Sequence, residues 1–117
     1  MSPITHFFVG WSVANAGHMD RKDRFLITAA GIAPDIDGFG IIADILTRNT
    51  QHPLHWWDRF HHVFGHNLGF GIAIVIVALC LGTRRWFAAC LAFVVFHLHL
   101  LGDLLGARGP EGYQWPI

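Results

Sequence analysis

Residues 68–103 read LGFGIAIVIVALCLGTRRWFAACLAFVVFHLHLLGD, two apolar runs joined by a short polar turn. The runs cover residues 68–81 and 86–101, and the basic pair Arg84 and Arg85 lies in the turn. Each run is shorter than the roughly 20 residues of a full membrane span. With its flanking residues, each helix reaches about 28 Å from the turn at about 1.5 Å per residue. The stretch therefore predicts a helical hairpin that crosses or deeply enters a bilayer, with a buried hairpin of a soluble bundle as the alternative.

The composition also favours a membrane association. The chain has 117 residues, of which 53% are hydrophobic and 14% are charged, and its mean hydropathy is +0.42. A soluble domain of this length buries only about two-thirds of its surface, which is too little to hide so many apolar side chains. Basic and acidic residues balance at 8 each, so the charge gives no signal for nucleic acid. We expect a single domain over residues 1–117 that has the lipid bilayer as its partner.

The rest of the chain is predicted to be helical as well. Ser2 can cap a first helix, with Pro3 in its first turn. Pro34 ends a second helix, because proline disfavours helical geometry in the residue before it. The predicted helices cover about 3–16, 24–33, 41–46, 54–81 and 86–105. The fold class is therefore all-α, a small helical bundle of two stacked helical hairpins, of which the second, about 55–105, is membrane-embedded.

Histidine and aspartate residues interrupt this apolar background. Imidazole and carboxylate groups bind zinc, manganese and iron, and they are costly in apolar surroundings without a partner. His66 lies as far before the centre of the turn as Asp103 lies after it, so an antiparallel hairpin places them at the same height. His99 is one helical turn from Asp103, the spacing that lets two side chains hold one ion. The hairpin therefore predicts a metal site at the end away from its basic turn.

The N-terminal half adds candidates at the same end. His6 lies at the start of the first helix and Pro34-Asp35-Ile36-Asp37 at the end of the second, so the two are neighbours in an up-and-down hairpin. In an extended stretch Asp35 and Asp37 point to one side, which suits a shared ion. The full set of metal-ligand candidates is His6, Asp35, Asp37, His61, His66, His99 and Asp103.

His61 and His66 are difficult to use together. They are five residues apart, so on one helix they diverge by roughly 140°. Both can bind only if the helix starts or bends between them, where Gly65 permits an irregularity, or if two ions are present. His62 is the geometric alternative to His61, because it lies four residues before His66.

The basic residues collect at the other end of the predicted bundle. They are Arg21, Lys22, Arg24, Arg84 and Arg85. By the positive-inside rule this end faces the cytoplasm. The chain is therefore expected to be an integral membrane protein with its metal site on the non-cytoplasmic side.

The pattern resembles a known family, the predicted membrane-bound metal-dependent hydrolases of bacterial and archaeal inner membranes, which are likened to zinc-dependent phospholipase C. The shared elements, in order, are Thr5-His6, Pro34-Asp35-Ile36-Asp37, His61 through His66, His99 with Asp103, and Gly112 with Trp115-Pro116. The chain departs from the family pattern at His62, where the family often has arginine, at Gly65 (threonine) and at Asn67 (serine). The resemblance implies a helical membrane protein with metal-dependent hydrolase activity.

The expected function is accordingly metal-dependent hydrolysis. One or two divalent ions, zinc being the expected metal, would activate water for attack on a phosphodiester or lipid ester. Seven candidates exceed the three or four protein ligands of one catalytic zinc, which favours two ions or a set of supporting residues. Asp37 is the candidate general base. The alternative is a non-catalytic membrane protein whose cluster binds metal for structure, sensing or transport.

Overall fold

The computed structural model describes residues 2–60 and 63–106, and these residues form helices and turns without a strand. The α-helices are α1 (Pro3–Asn15), α2 (Arg21–Ala30), α3 (Gly40–Thr47), α4 (Trp56–Phe60), α5 (Leu68–Leu81) and α6 (Arg85–Gly106), and a 3-10 helix covers Ala33–Phe39. The predicted all-α fold is confirmed.

The first hairpin consists of α1 and α2. The Ser2 side chain accepts a hydrogen bond from the backbone N–H of Thr5 and caps α1 as predicted. The cap of α2 is Asp20, whose Oδ1 accepts the N–H of Asp23 at 2.8 Å. The second helix therefore starts at Arg21 and ends at Ala30, and the predicted range of 24–33 is about three residues too late.

The second hairpin consists of α5 and α6, and α6 also packs against both helices of the first hairpin. Two buried clusters of mostly small side chains form the core. One contains Ala30, Ala78, Ala89 and Ala92, and the other contains Ala14, Ile27 and Val95. Small residues let the helix axes approach closely, which suits a thin bundle with a large apolar exterior.

Among the described helices, α6 alone is long and apolar enough to cross a membrane by itself. Its 22 residues extend about 33 Å, against a hydrocarbon thickness of about 30 Å. The 14 residues of α5 extend only about 21 Å. A second apolar stretch combines α2 with residues 33–47, and it bends by 53°. The capacity to span the bilayer is thus concentrated in α6 rather than shared equally by the hairpin.

The predicted long helix from residue 54 or 55 to Leu81 is wrong, because the chain forms two separate helices here. Residues 63–67 are turns and bends, and the Asn67 side chain accepts the N–H of Phe70 and so caps α5. Gly65 packs directly on the 3-10 helix, where an added Cβ would lie 2.1 Å from the carbonyl oxygen of Pro34. His66 consequently precedes α5 instead of lying on a helix face.

Asp23 joins the two hairpins at the basic end of the molecule. Its side chain is fully buried, and it accepts the backbone N–H of Thr83 at 2.8 Å and that of Arg84 at 3.0 Å. These bonds hold the start of α2 against the turn between α5 and α6. The basic residues of both hairpins therefore lie together, about 27 Å along α6 from Asp103.

Candidate metal centre

Four side chains from three elements converge at the opposite end of the bundle. They are His6 of α1, Asp35 of the 3-10 helix, and His99 and Asp103 of α6. One ligand atom of each lies within 4.8 Å of those of the other three. The exposed fractions of His6, His99 and Asp103 are only 2%, 1% and 7%. We refer to these residues as the four-residue cluster.

The donor atoms of the cluster have the spacing of metal ligands. Nε2 of His6 lies 2.9 Å from Oδ1 of Asp103, and Nε2 of His99 lies 3.0 Å from Oδ2 of the same carboxylate. Ligand atoms of a tetrahedral zinc site with bonds of about 2.0–2.1 Å are separated by about 3.3 Å. The rings of His6 and His99 stack with centroids 3.7 Å apart. Small side-chain movements would therefore let both imidazoles bind one ion.

A hydrogen bond on the side of the His99 ring away from the cluster orients this ring as a metal ligand. Its Nδ1 lies 2.7 Å from the carbonyl oxygen of Gly31. A carbonyl can only accept a hydrogen bond, so Nδ1 donates the proton, and Nε2 of the neutral ring keeps its lone pair for the cluster. Metal-binding histidines are commonly held in this way by a second partner.

His66 lies next to the cluster, and Asp37 contacts the side of the His66 ring away from the cluster. Nε2 of His66 lies 3.1 Å from Nε2 of His99 and 3.3 Å from Oδ2 of Asp103. On the other side of the ring, Nδ1 lies 3.1 Å from Oδ2 of Asp37, which also accepts the N–H of Gly65. Asp37 therefore reaches the cluster through His66.

The expected extended geometry at residues 34–37 is wrong, and this explains the different positions of the two carboxylates. These residues belong to the 3-10 helix, in which positions two apart differ by about 240° in direction. Asp35 accordingly lies near His99, whereas Asp37 lies against His66. The two carboxylates take different places around the site instead of pointing to one side.

The Oδ2 atom of Asp35 is buried and has no hydrogen-bond partner among the described residues. Its Oδ1 is 3.6 Å from Nε2 of His99, which is too long for a hydrogen bond. A buried acceptor without a partner costs about 1–3 kcal/mol. Coordination of a cation by Asp35 would offset that cost, so the residues present fit a metal ion.

The charges in this region favour a cation. Three carboxylates, those of Asp35, Asp37 and Asp103, surround three imidazoles. Burial disfavours the charged form of His66, but its hydrogen bonds with Asp103 and Asp37 outweigh this and raise its pKa to about 9. The negative field that retains this proton also attracts a divalent ion.

A family comparison covers the whole chain. The model of the YdjM inner membrane protein family matches residues 1–117. The chain belongs to the YdjM inner membrane protein family. No curated protein and no solved structure matches it.

The YdjM match overturns the family assignment made from sequence motifs. The chain was expected to be a member of the metal-dependent hydrolases likened to phospholipase C, and that assignment is wrong. The motifs misled because histidine and aspartate pairs at helix ends are short and recur in unrelated metal-binding proteins. The inner-membrane location, in contrast, agrees with the family description and with the length and composition of α6.

One predicted ligand of this YdjM family member and its alternative fall outside the residues that the structure describes. His61, and the alternative His62, are not among the described residues, so the choice between them stays a prediction. His97, two residues before His99, lies on another face of α6, where Nδ1 is 2.8 Å from the carbonyl oxygen of Phe93. His97 is therefore a natural control for His99.

Sequence reasoning missed Gly31, which shapes the site, and named Gly65 only as a residue that permits an irregular helix. A Cβ at Gly31 would lie 2.9 Å from Val95 Cγ1 and 3.1 Å from the carbonyl oxygen of His6, so only glycine lets the Gly31 carbonyl approach His99. Gly65 allows the turn before α5 to contact Pro34. The available signal was the position of each glycine, one just before the Pro34 box and one just before His66.

Proposed function

We propose that this protein is a membrane-bound metal-dependent hydrolase that holds one divalent ion, zinc being the expected metal, at the four-residue cluster. The observation that carries the proposal is the convergence of His6, Asp35, His99 and Asp103 within 4.8 Å. The set of imidazole and carboxylate donors supports catalysis, because structural zinc sites are mostly rich in cysteine. A bound ion would supply a Lewis acid and lower the pKa of water.

The remaining residues have distinct roles in this proposal. His66 is the candidate proton acceptor, because its Nε2 faces the cluster at 3.1 Å from His99 and 3.3 Å from Asp103. The ring carries a proton when the cluster holds no ion, and it would release that proton when a divalent ion binds, which would free Nε2 to accept another. Asp37 is a positioning residue, because its carboxylate holds Nδ1 of His66. The sequence-based hypothesis that Asp37 is itself the general base thus becomes a hypothesis about the His66–Asp37 pair.

A non-catalytic metal site is the second candidate. The burial of His6, His66 and His99, each 2% exposed or less, favours a closed site for structure, sensing or transport. The two candidates differ in one property: a catalytic ion keeps an open position for water or substrate, whereas a structural ion binds protein ligands in all positions.

Metal analysis of the purified protein tests the shared part of both candidates. We expect about one zinc per chain in the wild type, loss of the metal in His99→Ala and in Asp35→Asn, and full retention in His97→Ala. Asp35→Asn keeps the size and shape of the side chain, and neither carboxylate oxygen has a hydrogen bond to lose among the described residues. Denaturant unfolding of this variant checks that its loss of metal does not come from unfolding. A metal-free wild type, or equal metal in all variants, would reject the metal site.

Hydrolysis assays separate the two candidates. A soluble chromogenic phosphodiester and a fluorescent phospholipid are the substrates, and the zinc-loaded protein is compared with the metal-free one. Metal-dependent turnover that is lost in His66→Ala, with zinc still bound, supports the hydrolase. Full metal occupancy without turnover of either substrate supports the structural site.

We further propose that the four-residue cluster lies on the non-cytoplasmic side. The basic residues share the other end with Asp23, and basic segments prefer the cytoplasm. The test uses a chain in which Cys80 and Cys90 are replaced by alanine, with one new cysteine at Thr83 or Leu105. In spheroplasts, an impermeant maleimide should label L105C and spare T83C; the reverse pattern would refute this orientation.

A further inference from the structure

A cavity of about 440 Å³ adjoins the candidate metal centre. Its apolar walls include Ile36, Phe39, Trp56, Phe60 and Phe64, and Asp37 is the charged residue of its described lining. We propose that this cavity binds the acyl chain of a membrane lipid whose ester or phosphodiester group reaches the metal centre. The inference rests on the proposed function and adds the substrate class to it.

The cavity is built by specific contacts between two elements. The carboxylate of Asp44 on α3 accepts the backbone N–H of Trp56 at 2.5 Å and that of Trp57 at 2.9 Å, at the start of α4. Gly40 allows the backbones to approach, since a Cβ there would lie 3.2 Å from Trp56. These contacts hold α4 across from α3 and keep the aromatic walls apart. The volume falls in the range of roughly 300–1,000 Å³ that small-molecule sites occupy.

The polarity of the cavity changes toward the metal centre. Asp37 lines the cavity and binds Nδ1 of His66, and Nε2 of His66 lies 3.1 Å from His99. One imidazole ring therefore separates the charged part of the lining from the four-residue cluster. A molecule with an apolar tail and a polar ester matches this arrangement, whereas a water-soluble phosphodiester would leave the aromatic walls without a partner.

The apolar lining continues into an exposed apolar surface. Ile36, Phe39 and Phe64 line the cavity and are also more than half exposed, at 57%, 67% and 60%. On α3 the neighbouring large apolar side chains, Ile42 and Leu46, are exposed as well. In an inner-membrane family such a surface contacts acyl chains, so a lipid can enter sideways from the bilayer without crossing water.

Photolabelling tests the inference directly. The full chain is reconstituted in vesicles of phosphatidylethanolamine and phosphatidylglycerol that contain a phosphatidylglycerol with a diazirine in its acyl chain. We expect several-fold more label on Trp56, Phe60 and Phe64 than on Ile72 and Ile76, which are exposed on α5 away from the cavity. Equal labelling of the two groups would overturn the inference.

A cavity-filling variant provides the matched comparison. Ala43→Phe, at a lining residue, should remove most of the cavity label, and Ile45→Phe, at an exposed position on the same helix, should not. Ala43→Phe should also raise KM for a long-chain phospholipid about tenfold, the equivalent of about 1.4 kcal/mol, and Ile45→Phe should leave this KM unchanged. Unchanged label and KM in Ala43→Phe would overturn the inference.

Metal content of the same preparations separates this inference from the proposed function. Bound zinc without enriched cavity label rejects the lipid chain and leaves the metal site standing. Enriched cavity label in a protein that binds no metal supports the lipid cavity and rejects the metal-dependent function.

Discussion

The two ends of the molecule each bury carboxylates, but they neutralise them in different ways. At the basic end, Asp23 accepts the backbone N–H groups of Thr83 and Arg84. At the other end, Asp103 contacts ring nitrogens of His6, His66 and His99. Backbone N–H groups cannot gain or lose protons, whereas imidazoles exchange protons and bind metals.

The comparison shows that a buried carboxylate does not by itself identify a functional site. Asp23 is as buried as any residue that the structure describes, yet its partners make it a connector between the two hairpins. The partners of Asp103 are three imidazoles, whose total charge can change because imidazoles gain or lose protons and bind metals. Substitutions at the two ends should therefore affect different measurements, one the free energy of unfolding and the other the affinity for metal.

The largest expected effect is that of Asp103→Asn on metal binding. This change keeps the size of the side chain but removes the charge that contacts the three imidazoles. Removing a residue that only supports a ligand weakens metal binding by about 10–100-fold, so losing this central carboxylate should weaken it by more than about 100-fold. Zinc titration with a competing chelator measures the effect. A variant with wild-type affinity would exclude Asp103 as a ligand.

Gly65→Ala should disturb the same end through the backbone. The new Cβ would lie 2.1 Å from the carbonyl oxygen of Pro34, so the turn that carries His66 must move away from the 3-10 helix. Such overpacking costs about 1–3 kcal/mol, here expected near the upper limit because the obstacle is backbone. Denaturant unfolding in detergent and zinc affinity should both fall. Gly17→Ala is the control, since a Cβ at Gly17 meets nothing within 4 Å; equal effects would contradict the explanation.

Asp23→Asn should lower stability and leave metal binding intact. An asparagine cannot accept both N–H groups with charged oxygens, and hydrogen bonds to charged groups contribute about 1.5–3 kcal/mol. We expect the free energy of unfolding to fall by about 2 kcal/mol, with the zinc content unchanged. Reduced zinc content in a folded Asp23→Asn protein would show that the two ends are not independent.

Much of this architecture could be predicted because it depends on local sequence and on distance along helices. The Ser2 cap, the apolar runs and the short turn at Arg84 predict helices and their connections. Counting equal distances from that turn places His66 and Asp103 at the same height, and the structure separates Nε2 of His66 from Oδ2 of Asp103 by 3.3 Å.

The break before α5 was one alternative that the sequence offered, but the sequence could not decide in its favour, because contacts between distant residues cause the break. Residues 54–81 contain no proline, so no local signal of that kind ends the helix between them. The break depends on the approach of Gly65 to Pro34, about thirty positions earlier in the chain. The 3-10 conformation of Ala33–Phe39 likewise depends on this packing. Because that conformation separates the directions of Asp35 and Asp37, the sequence could not predict their different positions either.

Asp37→Asn should have the smallest effect. It tests most sensitively whether a carboxylate at the metal end acts through an imidazole or serves as a structural connector like Asp23. Asp37 does not belong to the four-residue cluster, but its carboxylate orients Nδ1 of His66. If His66 accepts a proton as proposed, Asp37→Asn should leave the zinc content near that of the wild type, because neither His66 nor Asp37 belongs to the four-residue cluster. It should lower kcat more than KM, because a misoriented His66 still permits binding but accepts a proton poorly. A drop in unfolding free energy with unchanged zinc affinity and kcat would instead make Asp37 a connector of the same kind as Asp23, holding the turn at Gly65 through its N–H.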